Sequence, residues 1–178
     1  MIIETDRLIL RPPRADDAGA IFERYASDPR VTRYLAWPTH RSIEDTRGFL
    51  NFCAAEWQRW PAGPFLIESR DTRTLLGSTG LALESPEQAA TGYVLATDAW
   101  GHGYATEALA AMRDLAAQLN LSRLYAMCHP QHRASARVLE KCGFALESTL
   151  EAHAEFPNLE PGVPSDVLCY SVRPCARG

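Results

Sequence analysis

The chain has 178 residues, 46% hydrophobic and 22% charged, enough for one substantial core and too few to expect two. A formal charge of −4 argues against a general polyanion binder, because nucleic-acid affinity needs clustered cations that displace counterions from phosphates; a basic amine or peptide is the easier partner. No run of about 18 apolar residues occurs, and Met1-Ile2-Ile3-Glu4-Thr5-Asp6-Arg7 lacks the basic-then-apolar order of a signal peptide, so a cytoplasmic protein without membrane association is expected.

Ile3 to Arg11 alternates apolar and polar residues and stops at Pro12-Pro13, which reads as one half-buried strand. Asp16 to Ala26 is expected to be a helix, with Ala18, Ile21, Phe22 and Tyr25 on one face and Asp28-Pro29 as its breaker. Ser42 followed by Asp45 resembles a capping box, and behind it Ile43, Thr46, Leu50, Cys53, Trp57 and Trp60 recur at helical steps. Phe65 to Ser69 and Leu75 to Leu83 read as antiparallel strands around an Asp71-Thr72-Arg73 turn, with Gly77 and Gly80 marking a bulge or a close backbone approach.

After polar Ser85 to Ala90, a strand from Thr91 to Thr97 is expected to feed directly into a glycine loop. From Ala105 onward Ala108, Leu109, Met112, Leu115, Ala116 and Leu119 follow helical spacing. Arg123 to Cys128 is a short strand, and Ala134 to Cys142 a helix stopped by Gly143 as a left-handed C′ residue with Phe144 folding back on Leu139. Phe144 to His153 and Ser165 to Val172 complete the strands, and Arg173 to Gly178 is read as a loose tail. The order of elements gives an α/β (α+β) fold: one domain over residues 1–178, with a mixed sheet covered on both faces.

Five cysteines, Cys53, Cys128, Cys142, Cys169 and Cys175, form no C-x-x-C pair and are odd in number, so reduced thiols fit better than a disulfide framework. Cys128, His129 and His132 are close enough to suggest zinc ligands, but no fourth ligand follows at an ordinary spacing, and no metal is expected.

The chemistry concentrates in Tyr93-Val94-Leu95-Ala96-Thr97-Asp98-Ala99-Trp100-Gly101-His102-Gly103-Tyr104-Ala105-Thr106-Glu107-Ala108, a strand, a tight glycine turn and the first turn of a helix. Gly101 and Gly103 let the backbone approach a ligand, and the free N–H groups of the next turn, at the positive end of the helix dipole, suit a pyrophosphate. The third glycine and acidic residue of a dinucleotide fold are missing, as is a G-K-[ST] sequence. A purely structural turn is the other reading of a bare G-x-G.

This stretch resembles the acetyl-CoA motif of the GNAT superfamily of N-acetyltransferases, in the W-G-x-G-Y-A-T-E-A form of the RimJ/RimL-like branch that acetylates protein N-terminal amines. Glu4-Thr5-Asp6-Arg7-Leu8-Ile9-Leu10-Arg11 resembles that branch's opening strand, and Arg133-Ala134-Ser135-Ala136-Arg137-Val138-Leu139-Glu140-Lys141-Cys142-Gly143-Phe144 its second CoA-contacting helix. The resemblance implies a mostly antiparallel sheet splayed at the cofactor strand, with acetyl-CoA as cosubstrate and an amine attacking it directly in a ternary complex. It assigns the pantetheine arm to main-chain groups around Val94, Leu95 and Thr97, and the pyrophosphate to Trp100, Gly101, His102, Gly103, Tyr104, Ala105 and Thr106. His132 and Ser135 join the cofactor set.

For catalysis the resemblance implies a strand N–H between Tyr93 and Leu95 as oxyanion donor, Ser135 as partner of the leaving thiolate and Glu155 as base. Glu84 and Glu87 are alternative bases, and Trp37, His40 and Trp57 are candidates for the acceptor pocket. Three departures stand out: Leu139 where many members have a tyrosine acid, His132 where an asparagine is common, and Thr91 where a carboxylate is often found. They support the alternative of a CoA-binding sensor that transfers nothing. The acceptor amine and the oligomeric state, a homodimer included, stay open.

Overall fold

The computed structural model describes residues 1–174; of the expected loose tail, residues 175–178 lie outside them. Eight strands form one sheet in the order β1-β2-β3-β4-β5-β6-β8-β7. They are β1 (Ile3–Glu4), β2 (Leu8–Arg11), β3 (Pro64–Ser69), β4 (Leu75–Leu83), β5 (Gln88–Leu95), β6 (Arg123–Cys128), β7 (Ala145–Glu155) and β8 (Pro164–Val172). Every neighbouring pair is antiparallel except β5 and β6. The helices are α1 (Ala18–Ile21), α2 (Pro29–Thr32), α3 (Ile43–Arg59), α4 (Tyr104–Gln118) and α5 (Arg133–Lys141).

Side chains alternate across the sheet as the strand period requires. Phe65 and Ile67 enter a core shared with Leu109, Met112 and Leu115 of α4, while Leu66 between them joins Ala18, Ile21 and Leu50 of α1 and α3. The expectation of a mixed sheet between helical layers holds. α3 starts on the anticipated cap: Asp45 Oδ2 accepts from the amides of Ser42 (3.1 Å) and Arg41 (2.8 Å). α5 ends as expected too, with Gly143 at φ +82° and the Phe144 amide donating to the Leu139 carbonyl over 3.1 Å.

Three expectations need correction. The first strand is a hairpin, with Ile3 opposite Leu10 and Glu4 opposite Ile9; the Thr5 amide donates to Leu8 O (3.0 Å) and closes a turn that an alternating pattern cannot reveal. The strand expected from Thr91 begins at Gln88 instead, because Ala89 pairs with Leu83 on one side and Leu124 on the other. It does not run straight into the glycine loop either, since a 3-10 turn, Thr97–Ala99, intervenes. The helix expected over 16–26 is present but irregular, passing from 3-10 through α1 to a π turn at Phe22–Ala26.

Gly77 is a close-approach residue. A Cβ there would lie 1.9 Å from the Val94 carbonyl oxygen, so β4 and β5 tolerate only glycine at this point. The strand register shifts beside it, where Ile67 faces Gly77 and Glu68 faces Leu75.

Candidate active site

β5 pairs with β6 only where Gln88–Ala90 meets Arg123–Tyr125. Beyond this point β5 stays with β4 and β6 stays with β8, so the sheet opens into a wedge. The Val94 carbonyl lies against β4; alternation therefore turns the main-chain groups of Tyr93 and Leu95 toward the opening. The Leu95 carbonyl is occupied by the Trp100 indole N–H (2.9 Å), which pins the glycine loop over the end of the strand.

In that loop Gly101 and Gly103 both take left-handed conformations, φ +77° and +80°, and residues 101–103 are exposed. The first helical bond that the loop receives runs from the Glu107 amide to Gly103 O (3.1 Å). The amides of Tyr104, Ala105 and Thr106 thus precede the helical ladder and are available to an anion.

The loop is held by a residue that motif spacing did not single out. Arg7, in the β1–β2 turn, donates from Nη1 to His102 O (2.8 Å) and from Nε to Glu107 Oε2 (2.7 Å), and its guanidinium lies 4.8 Å from the Tyr104 ring centre. The Thr5 hydroxyl and the Arg7 amide bond Glu107 Oε1 at 2.6 and 2.8 Å. Burial opposes ionisation of Glu107, but these donors outweigh it and hold its carboxyl below the ordinary value. The only sequence signal for this lock was the Glu4-Thr5-Asp6-Arg7 likeness.

On the far side of the wedge, α5 presents Ser135. Its hydroxyl lies 3.0 Å from the Tyr93 hydroxyl, which also donates to the Ser135 carbonyl at 2.9 Å. Burial pushes the Tyr93 phenol well above its usual value, with the Ser135 bond working against it. A neutral phenol therefore stands beside Ser135, while Leu139 fills the wall at 1% exposure. Burial likewise pushes the Cys128 thiol up to about 11, aided by the Glu140 charge.

His132 occupies the position before α5 without a side-chain cap bond, and its ring stacks on Tyr34 at 4.7 Å between centroids; His129 stacks on Tyr34 at 5.3 Å and meets Phe156 edge-on at 4.8 Å. Burial lowers the pKa of His132, and His129 lowers it further. Both rings are thus engaged with aromatic neighbours. Among the described residues no group of three or more His, Cys, Asp or Glu side chains converges to hold a metal, and Cys53, Cys128, Cys142 and Cys169 are buried and outside any disulfide.

A cavity of about 530 Å³ occupies the wedge and continues toward α2 and α3. Of the expected acceptor residues only Trp37 lines it. His40 tilts against Trp37 and bonds Thr46 Oγ1 through Nδ1 at 2.8 Å. Trp57 is a packing residue: its indole donates to Pro64 O (2.7 Å) and its ring meets Phe65 edge-on.

None of the three carboxylates considered from sequence lines this cavity. Glu155 ends β7 in an exposed position. Glu84 is held below the ordinary carboxylate range by the Tyr125 hydroxyl and then by Gln88, and Glu87 is exposed on the β4–β5 turn. The carboxylate in the lining is Glu56 of α3, which helical periodicity alone presents as an ordinary polar position.

Known proteins with this architecture carry related names. An uncharacterised N-acetyltransferase of Bacillus subtilis, YoaA, is 34% identical over 174 residues, covering 96% of both chains. An acetyltransferase of the GNAT family from Bacillus anthracis superposes with a TM-score of 0.84 at 26% identity over 97% of this chain and 98% of its own. A RimL ribosomal-protein α-N-acetyltransferase solved with coenzyme A gives 0.86 at 23% identity, covering 99% and 100%. No helix among the described residues is long and apolar enough to cross a membrane. Residues 7–145 match the family model for the acetyltransferase (GNAT) domain, so the chain belongs to the GNAT acetyltransferases, which use acetyl-CoA to acetylate amines.

Proposed function

We propose that the protein, acting as a single acetyltransferase domain in the cytoplasm, moves acetyl from acetyl-CoA to a primary amine by direct attack within a ternary complex. The RimL likeness brings a peptide N-terminus into the acceptor class beside small-molecule amines. One observation carries the reading: a left-handed glycine turn sets free helix amides beside an unpaired strand edge. Tyr104, Ala105 and Thr106 bind the pyrophosphate at the dipole end of α4, with Trp100, Gly101, His102 and Gly103 shaping the turn. The Tyr93 and Leu95 main chain meets the pantetheine arm and the thioester.

The amine lone pair forms the C–N bond at the thioester carbon, and a strand N–H stabilises the resulting oxyanion. As the C–S bond breaks, the thiolate takes a proton relayed by Ser135, whose hydroxyl Tyr93 orients and which recovers a proton from solvent water in the same step. The acceptor nitrogen loses its proton through water to Glu155, the exposed carboxylate at the end of β7. Glu155→Gln is expected to lower turnover and leave acetyl-CoA affinity unchanged; an unaltered pH–rate profile removes that role.

Gly103→Glu tests the cofactor site. It places a charged side chain on a +80° φ and beside Arg7 Nη2, 3.4 Å from the added Cβ, and should weaken acetyl-CoA binding by about a hundredfold or more. Unchanged affinity in a folded variant overturns the assignment. Leu139 in the cavity wall favours a CoA sensor instead, and release of free CoA with any amine removes that reading. A homodimer is part of the proposal: edge strand β7 is largely exposed and carries Leu146 at 53% exposure, and a monomer mass by sedimentation would exclude it.

A further inference from the structure

The acceptor side of the cavity has a simple charge pattern. Tyr34, Trp37, Phe49 and Phe52 supply aromatic walls, and Glu56 is the one formally charged side chain in the lining. Tyr93, Cys128 and His132 in the same lining are neutral near pH 7, because burial raises the first two and lowers the third. Phe49, Phe52 and Glu56 follow one another at three- and four-residue steps on α3, so one helical face delivers two rings and a carboxylate together. Glu56 is half-buried, with no ion pair or side-chain hydrogen bond to another described residue. Phe52, at 54% exposure, leaves a large apolar surface uncovered on the same face.

Resting on the acetyl-transfer reading for the identity of this cavity, we infer that Glu56 is a specificity-determining residue that receives the positive charge of the acceptor. The acceptor is then an arylalkyl-type primary amine, a flat apolar body whose single head docks as an ammonium and attacks the thioester only after giving up one proton through water. A half-buried carboxylate without a partner is stabilised by a cation that brings its own hydrogen-bond donors, and aromatic faces around it attract the same cation. An amino acid is disfavoured, because its carboxylate would find no cation in the lining and would be repelled by Glu56. A polyamine is disfavoured as well, since its second ammonium would find no second carboxylate.

The test is calorimetric binding of phenethylamine and of phenylalanine to the full chain saturated with free CoA, for the wild type and Glu56→Gln. Phenethylamine should bind the wild type saturably and lose about tenfold or more in affinity in Glu56→Gln. Phenylalanine should bind the wild type about tenfold more weakly than phenethylamine, and that gap should narrow in the variant. Acetyl-CoA affinity and melting temperature, measured alongside, should be unchanged. Equal phenethylamine affinity in both proteins, or no saturable binding to the wild type, overturns the inference. Release of CoA with other amines, unaffected by Glu56→Gln, would discard the inference and keep acetyl transfer. Glu56-dependent phenethylamine binding with no CoA release from any amine would do the reverse.

Discussion

Ser135 would be an ordinary helix residue without Tyr93, which comes from a strand 42 positions earlier and holds both its carbonyl and its hydroxyl. A phenol has one proton to give. When Tyr93 donates it to the Ser135 carbonyl, the serine hydroxyl can turn its own proton toward a departing thiolate. Burial keeps the phenol neutral, so the arrangement survives across the physiological range. Tyr93→Phe should therefore lower kcat about tenfold while acetyl-CoA affinity stays unchanged, and the double variant with Ser135→Ala should be little worse than either single change. Steady-state CoA release checks this, and a wild-type kcat in Tyr93→Phe would leave the pair a packing feature. The sequence exposes only half of this pair. Leu139 four positions after Ser135 announces that the usual tyrosine is missing, but periodicity along a helix says nothing about a side chain arriving from a strand.

At the scale of elements, the start of α4 depends on the β1–β2 hairpin as much as on its own glycines. Arg7 and Thr5 converge on Glu107 and His102 O, so the first turn of the helix is positioned by a turn a hundred residues earlier in the chain. The pair is half-exposed at Arg7, 49% against 16% for Glu107, and should add little to global stability. Its effect belongs to the loop. Arg7→Ala is expected to weaken acetyl-CoA binding by about tenfold with little change in melting temperature, and an unchanged Kd would show that the glycine turn holds itself.

The pH dependence has a definite sign. The Glu107 carboxyl is held below its ordinary value, so the contribution of the ionised lock is complete above the unfolded carboxylate value and is lost as pH falls through the depressed folded value. Acetyl-CoA affinity measured downward from neutral should therefore stay flat through the ordinary glutamate range and fall only below it, as far as this lock is concerned. The glycine turn, the α3 cap and the α5 stop were legible because each is a local backbone requirement with its own residue types. The hairpin was not. Thr5 to Leu8 reverses the chain without glycine or proline, and Ile3, Leu8 and Leu10 keep an apolar rhythm on both sides of the reversal.

Across the whole molecule the sheet is continuous but held unevenly. β1 to β5 form one run of paired strands and β6, β8 and β7 another, joined through Gln88–Ala90 and through α4 against α5, where Cys142 Sγ donates to Thr106 O (3.3 Å) and Arg113 to Cys142 O (2.9 Å). Alternating hydrophobicity indicated the layers, yet it could not show where two parallel strands part, because divergence lies in backbone direction rather than in side-chain pattern. For the same reason Glu56 stayed hidden: only the tertiary fold brings a polar residue of α3 into the same cavity as Tyr93 and Ser135. A ligand lying in that wedge touches both runs of strands and binds the folded chain alone. Acetyl-CoA at about a hundred times its Kd should therefore stabilise the protein by about 2.7 kcal/mol. For a chain of this size that is a rise in melting temperature of about 5 to 10 °C. Thermal unfolding followed by circular dichroism reads this directly. Gly103→Glu, folded but about a hundredfold weaker for the cofactor, should gain only about 0.4 kcal/mol at the same concentration, a rise of about 1 °C, and an equal rise in wild type and variant would place acetyl-CoA away from the splayed strands.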